Sequence, residues 1–147
     1  MCFSKDITPS TPALIIIAID QSGSMLEAFE HVSMIVSKSE HFNAPAAMLI
    51  CHNTDESWKR PYDGALSSPV DAAIVTTHLM LAAHNMGVGS CWVMHFNPEA
   101  MREAFNIPQN FEPAALLVMG YPAPEAKPLE LHYKSRPMDE VVFYDNF

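Results

Sequence analysis

A chain of 147 residues, 49% hydrophobic and 17% charged, has the composition of one ordinary globular domain rather than of a disordered segment. Its 8 basic and 17 acidic side chains give a net charge of −9. This charge argues against a nucleic acid or an anionic membrane as partner, because binding either requires a basic face. The longest apolar stretches, residues 13–19 and 70–83, fall short of the roughly 20 residues that span a bilayer.

The cysteines and the N-terminus indicate the compartment. Cys2, Cys51 and Cys91 are odd in number and have no CxxC spacing, so we expect reduced thiols rather than a disulfide framework. Residues 1–6 lack the basic region and apolar core of a signal peptide. A cytoplasmic protein is therefore expected. The seven histidines show no HxxxH or HxH spacing, so no metal site is predicted.

The first half of the chain alternates buried strands with helical patterns. Residues Ala13–Asp20 form a β-branched run between Pro12 and a Ser-Gly turn, which predicts a buried strand. Met25–Lys38 has apolar residues at helical spacing, and Ala46–His52 is a second short apolar run typical of a strand. A loop rich in charge, aromatic residues, Pro and Gly is expected over residues 53–67.

A long helix follows this loop. Ser67 or Ser68 is expected to cap it, with Pro69 in its first turn, and the helix should end near Asn85, before Gly87. Because this helix is apolar nearly all round, most of its sides must be buried. In so small a chain this favours a dimer.

The second half continues with further short elements and a tail. The order β-α-β-α-β-α-β-arm-β indicates an α/β or α+β fold with three layers. The predicted elements are a strand over Gly89–Phe96, a helix from the Asn97 cap to Phe105, a strand over Ala114–Met119, an extended Pro-rich arm from Pro122 to Pro137, and a closing strand over Val141–Tyr144.

Two segments are candidates for ligand binding. Gly87, Val88, Gly89 and Ser90 join the long helix to a strand, where backbone N–H groups can meet a flat or anionic ligand without a Cβ in the way. A helix C-cap followed by a tight strand entry explains the same glycines equally well. The segment is not a dinucleotide fingerprint, since it leaves a helix where that motif enters one.

Lys134 and Arg136 form a basic pair in the last third of an acidic chain. Arg offers a bidentate fork and Lys a point charge, which suit a phosphate. The alternative is a solvated arm with incidental charges.

Asp20, Ser22 and Ser24 follow the first strand in the DxSxS spacing of von Willebrand A-type adhesion domains. There a carboxylate and two hydroxyls offer hard oxygen ligands to Mg²⁺. The alternative is a simple strand-end turn. A metal-dependent binding module is therefore a second hypothesis of a different class.

Other side chains suggest chemistry less specifically. Cys91 and His95 lie four apart on one strand, too far for a direct thiol–imidazole hydrogen bond, and a buried structural cysteine is expected. Trp58, Tyr62 and Trp92 are expected either to pack or to line a flat aromatic pocket.

From about His41 onward the chain resembles the nitroreductase family of FMN-dependent oxidoreductases, through motifs whose order and spacing together are specific. These are His41 to Pro45, Trp58 to Gly64, Val70 to His78, Gly87 to Trp92, Phe96 to Pro98, Ile107-Pro108, Gly120 to Pro122 and His132 to Val141.

The resemblance implies a nitroreductase-like α+β fold, a three-layer α/β/α sandwich in one domain over residues 1–147. It implies a homodimer with the long helix at the interface and an arm over 122–147 around the partner. FMN would lie between subunits, with its ring near Gly87–Ser90 and its phosphate at Lys134 and Arg136. Hydride would pass from NADH or NADPH to nitroaromatic, quinone or similar acceptors, and no acid–base residue is assigned because the flavin does that chemistry.

The N-terminal region departs from the family pattern. Members begin with an arginine-rich helix that grips FMN, whereas no arginine precedes Arg60 here. We therefore expect a member that is divergent or truncated over residues 1–40, with the fold incomplete there. A degenerate relative that binds flavin poorly is the corresponding alternative.

Overall fold

A single antiparallel sheet organises the computed structural model, which describes residues 14–20 and 44–145, the first range as backbone only. Its four strands lie in the order β1-β2-β4-β3. They are β1 (Leu14–Asp20), β2 (Ala46–Asn53), β3 (Gly89–Val93) and β4 (Phe111–Gly120). The described helices are α1 (Ser68–Asn85) and α2 (Pro98–Phe105). The helix predicted over Met25–Lys38 lies outside the described residues.

Both faces of the sheet are apolar, and each is covered by a different helix. Successive side chains of a strand point to opposite faces. Leu49 and Leu116 therefore pack with Met101 of α2 on one face. Ile50 and Leu117 pack on the other face, in the cluster that includes Ala72 of α1. The predicted three-layer α+β fold is confirmed.

The sequence predicted the limits of α1 but not the role of its first serines. Pro69 lies in the first turn, and Gly87 follows the helix at φ +74°, a conformation that favours glycine. The Ser67 hydroxyl caps no backbone N–H and instead donates to Asp71 Oδ2 at 3.3 Å. The capping role expected of Ser67 is therefore wrong. Neither α1 nor any other helix within the described ranges is long and apolar enough to cross a membrane.

The elements after α1 begin and end slightly differently from the prediction. Asn97 caps α2 as expected, with its Oδ1 accepting from the N–H of Glu99 at 3.0 Å and of Ala100 at 3.2 Å. β3 ends at Val93, three residues early. β4 begins at Phe111 and runs through Pro113, where the pairing register with β2 shifts. A proline cannot donate to the ladder, and such a bulge accommodates it.

The arm, residues 122–145 in the described part, lies on the surface with mostly exposed side chains. It contains two short 3-10 turns, Glu130–Tyr133 and Met138–Glu140. The closing strand expected over Val141–Tyr144 is wrong. The turn that begins after Pro137 keeps the backbone from extending, and no described strand pairs with this segment.

Leu116 offers a direct test of the core, because it is fully buried in the middle of β4. Leu116→Ala should lower the free energy of unfolding by about 2–5 kcal/mol, through lost transfer energy and the cavity that remains. Urea unfolding followed by circular dichroism measures this loss. The exposed change Glu125→Ala should stay within about 0.5 kcal/mol. A cost below about 1 kcal/mol at Leu116 would contradict its central position.

Candidate functional site

One end of the sheet forms an open cleft with a volume of about 270 Å³, here called the sheet-end cleft. The antiparallel register places Gly89 opposite Gly120 and Ala46 opposite Met119. The start of β2, the start of β3 and the end of β4 therefore meet at this edge. The lining residues are Ala44, Pro45, Gly89, Ser90, Cys91, Val118, Met119, Gly120 and Tyr121.

Two glycines that line the cleft are packed closely against other parts of the chain. A Cβ on Gly120 would lie 2.7 Å from Pro45 Cδ, closer than real Cβ atoms come to a neighbour. A Cβ on Gly89 would lie 3.3 Å from the Gly120 carbonyl oxygen. Close packing of the chain against itself therefore requires both glycines. The small and mostly apolar residues that line the cleft suit a small apolar ring.

The four predicted residues of the helix–strand junction divide into two pairs. Gly89 and Ser90 line the cleft. The N–H of Gly87 donates to the His84 carbonyl and that of Val88 to the Ala83 carbonyl, both at 2.9 Å. These two bonds close the C-terminus of α1 in a Schellman-type arrangement. Of the four predicted residues, Gly89 and Ser90 are thus the two that line the cleft.

The two predicted phosphate-binding side chains lie elsewhere on the surface. Lys134 and Arg136 are exposed on the arm, and Lys134 Nζ lies 3.3 Å from Glu130 Oε2. Within the described part of one chain, no hydrogen bond or ion pair joins either residue to 87–90. Neither residue is among those that line the sheet-end cleft.

The two described cysteines differ in burial, and Cys91 is not the buried one. Cys91 is exposed at the cleft, because the part of β3 that carries it is uncovered by the described residues, so its predicted burial is wrong. Cys51 is the buried thiol, and burial raises its pKa to about 11 against the opposing charge of Arg102. Cys51 is therefore a poor nucleophile. Both thiols are free.

The aromatic residues singled out in the sequence lie away from the cleft. Trp92 packs on the α1 side of the sheet, and its Nε1–H points at Met94 Sδ, 3.1 Å away. Trp58 and Tyr62 are exposed on the loop between β2 and α1. Tyr121 is the aromatic side chain at the cleft, and the sequence reasoning assigned it no role. The Gly-Tyr-Pro motif that ends β4 is the sequence feature that could have indicated Tyr121.

Residues 13–121 match the model of the nitroreductase family. The chain belongs to that family. The match covers β1 to β4, both described helices and every residue that lines the sheet-end cleft, but not the arm. The nitroreductase resemblance drawn from the sequence motifs is thereby confirmed.

Individual proteins that are similar to this chain in sequence or in structure also carry nitroreductase names. A nitroreductase family protein from Clostridium difficile 630 is 36% identical with a TM-score of 0.78, over 92% of this chain and 75% of that chain. An Archaeoglobus fulgidus protein, provisionally named NADH dehydrogenase/NAD(P)H nitroreductase, is 33% identical over 105 residues, 69% of this chain. The chain spans 55% of that relative's length. A structure described as an FMN-dependent nitroreductase, from Clostridium difficile R20291, shares the fold at 23% identity, with a TM-score of 0.65 over 91% of this chain and 76% of that chain.

The adhesion-module hypothesis is not supported. Asp20 ends β1 of a wholly antiparallel sheet, whereas the adhesion domain requires a larger parallel one. Ser22 and Ser24 lie outside the described residues. The nitroreductase match includes all three positions.

Proposed function

We propose that this nitroreductase family member is an FMN-dependent oxidoreductase that acts as a homodimer. It transfers hydride from NADH or NADPH to nitroaromatic, quinone or similar acceptors. The observation that carries the proposal is the sheet-end cleft, which Gly89, Ser90 and Gly120 line together with mostly apolar side chains. The name of the Archaeoglobus relative supports NAD(P)H as the electron donor. The free thiols support a cytoplasmic location.

The residues of the cleft fit the ring system of FMN. Ser90 and the two glycines present backbone and small groups, while Met119 and Tyr121 supply apolar and aromatic surface. The bound flavin would supply the hydride chemistry, and the protein would position it and exclude water. At about 270 Å³ the cleft lies just below the usual range of about 300–1,000 Å³ for small-molecule sites. A second copy closing its open side would complete it.

The exposed face of α1 supports the proposed homodimer. Val70, Ile74 and Leu81 are 60%, 50% and 62% exposed, and their helical spacing places them on one side, here called the apolar stripe. Large exposed apolar surfaces of this kind mark contact sites. In a homodimer the stripe would meet its own copy, and the arm of each chain would bring Lys134 and Arg136 to the partner's cleft.

The absorption spectrum of the purified full chain, with and without added FMN, tests the proposal. We expect a bound-flavin spectrum that NADH or NADPH bleaches under anaerobic conditions, since the reduced flavin loses its visible band. Reoxidation by a quinone or a nitroaromatic compound then identifies the acceptor class. Riboflavin, which lacks the phosphate, serves as the matched ligand control and should bind more weakly.

A colourless protein that ignores added FMN would refute the proposed oxidoreductase. The degenerate, flavin-poor relative would then be the better interpretation. Flavin that binds but is not reduced by either nicotinamide would refute the proposed electron donor while leaving the cofactor assignment intact.

A further inference from the structure

A buried polar cluster joins the end of β2 to the start of α1, away from the sheet-end cleft. The His52 ring is 5% exposed, and its Nδ1 lies 2.9 Å from the hydroxyl of Ser68, which is 1% exposed. Ser68 is the first residue of α1, and its N–H donates to Ser57 Oγ at 3.0 Å. The side chain of His52 thus connects the sheet directly to the N-terminus of the helix.

The neutral ring satisfies this geometry well. With Nδ1 unprotonated, the Ser68 hydroxyl donates to it, and Nε2–H points towards Glu112 Oε2, 3.8 Å away on β4. Protonation would turn Nδ1 into a donor, and the buried Ser68 hydroxyl would have to find another acceptor. It would also place a positive charge at the N-terminus of α1, where the helix dipole is already positive.

The charged groups around the His52 ring only partly offset the unfavourable protonation of this ring. Burial lowers the pKa of His52, while the carboxylate of Glu112 raises it to a lesser extent. Asp71, in the first turn of α1, accepts from the Ser67 hydroxyl. Ser57 in the loop is uncharged, and Leu14 of β1 stands opposite His52 in the ladder. Glu112 is a charged partner of the ring, with its Oε2 3.8 Å from Nε2.

We propose that the His52–Ser68 hydrogen bond is an acid-sensitive contact that holds the first turns of α1 on the sheet and releases them when His52 is protonated. The proposal goes beyond the oxidoreductase activity and does not depend on it. Because α1 carries the apolar stripe, acid would loosen the helix that presents this surface.

The sign of the pH dependence follows from the lowered pKa. The unfolded chain, with a histidine pKa of about 6.5, binds more protons than the folded chain as the pH falls. The stabilisation from neutral His52 is therefore complete above about pH 6.5 and decreases as the pH falls through and below that value. The expected loss in the folding equilibrium constant is at most about tenfold per pH unit for this one group.

Urea unfolding of the full chain between pH 5 and 8 tests the contact, together with hydrogen exchange of peptides from residues 68–76 and 46–53. In the wild type, acid should lower stability and should reduce protection in 68–76 more than in 46–53. His52→Asn keeps an acceptor near Ser68 but does not titrate, so it should remove this part of the pH dependence. His132→Gln, at an exposed histidine, should behave as the wild type.

Glu112→Gln provides a second variant at an exposed position, in case His52→Asn does not fold. Without the carboxylate, protonated His52 is less favourable in the folded state. Acid should therefore destabilise this variant more than the wild type, with little difference at pH 8. Identical pH profiles for Glu112→Gln and the wild type would overturn the proposal. So would unchanged pH dependence in a folded His52→Asn variant, or an acid-induced loss of protection equal in 46–53 and 68–76.

Discussion

Leu81→Asp should convert the proposed dimer into monomers. Leu81 lies in the apolar stripe of α1, and in a two-fold symmetric dimer each chain would place the new carboxylate in the same apolar contact. Burying an unpaired charge costs several kcal/mol, and the cost arises twice. We expect the dissociation constant to rise by at least about a thousandfold, since about 1.4 kcal/mol corresponds to tenfold. Sedimentation velocity over a range of protein concentrations measures it.

Gln109→Glu is the matched control for the added charge. Gln109 is exposed in the loop after α2, away from the stripe, so this variant should remain as dimeric as the wild type. Circular dichroism should show that Leu81→Asp keeps its helix content, because the side chain is already 62% exposed in the single chain. A Leu81→Asp protein that stays dimeric would place the interface elsewhere on the molecule.

The sequence predicted α1 closely because its signals are local. Pro69 favours the first turn, and Gly87 adopts the positive φ with which many helices end. Ser68 shows the limit of such signals. The sequence offers a serine as a cap, but whether its hydroxyl bonds the helix or a distant ring depends on His52, 16 positions away, which tertiary structure alone brings near.

The strand order could not be predicted, because it depends on pairings between distant segments. β4 lies between β2 and β3, and thereby brings Tyr121 and Pro45 to the junction at Gly89. The glycine junction could be recognised from its own residues, whereas the opposite side of the cleft could not. The predicted strand begins at Ala114, whereas β4 begins at Phe111. The bulge that accommodates Pro113 depends on pairing with β2, which the sequence does not reveal.

The arm illustrates a different limit of prediction from sequence. Its prolines and few apolar residues predicted an extended arm. The described part lies on the surface and contains two 3-10 turns. The partner contact proposed for the arm depends on a surface outside the chain's own fold. Leu129, Leu131 and Tyr133 are all exposed there, next to the two basic residues. An arm with so many uncovered apolar side chains is better suited to a partner surface than to solvent.

Removing the basic pair of the arm should sharply weaken FMN binding. Charge-assisted hydrogen bonds contribute about 1.5–3 kcal/mol each, so Lys134→Gln or Arg136→Gln alone should raise the dissociation constant by roughly 10- to 150-fold. Arg136→Gln should have the larger effect, because a guanidinium binds a phosphate through two parallel bonds. The double variant should lose roughly two to four orders of magnitude, measured by quenching of flavin fluorescence.

Lys127→Gln removes the same charge from the same arm outside the predicted phosphate site, and should leave FMN affinity nearly unchanged. Riboflavin separates a phosphate contact from a general disturbance of the arm. If Lys134 and Arg136 bind the phosphate, their substitution should hardly change the weaker affinity for riboflavin. Equal losses for FMN and riboflavin, or an equal loss in Lys127→Gln, would show that the arm contributes shape or long-range charge instead. The phosphate would then have to be bound by other residues.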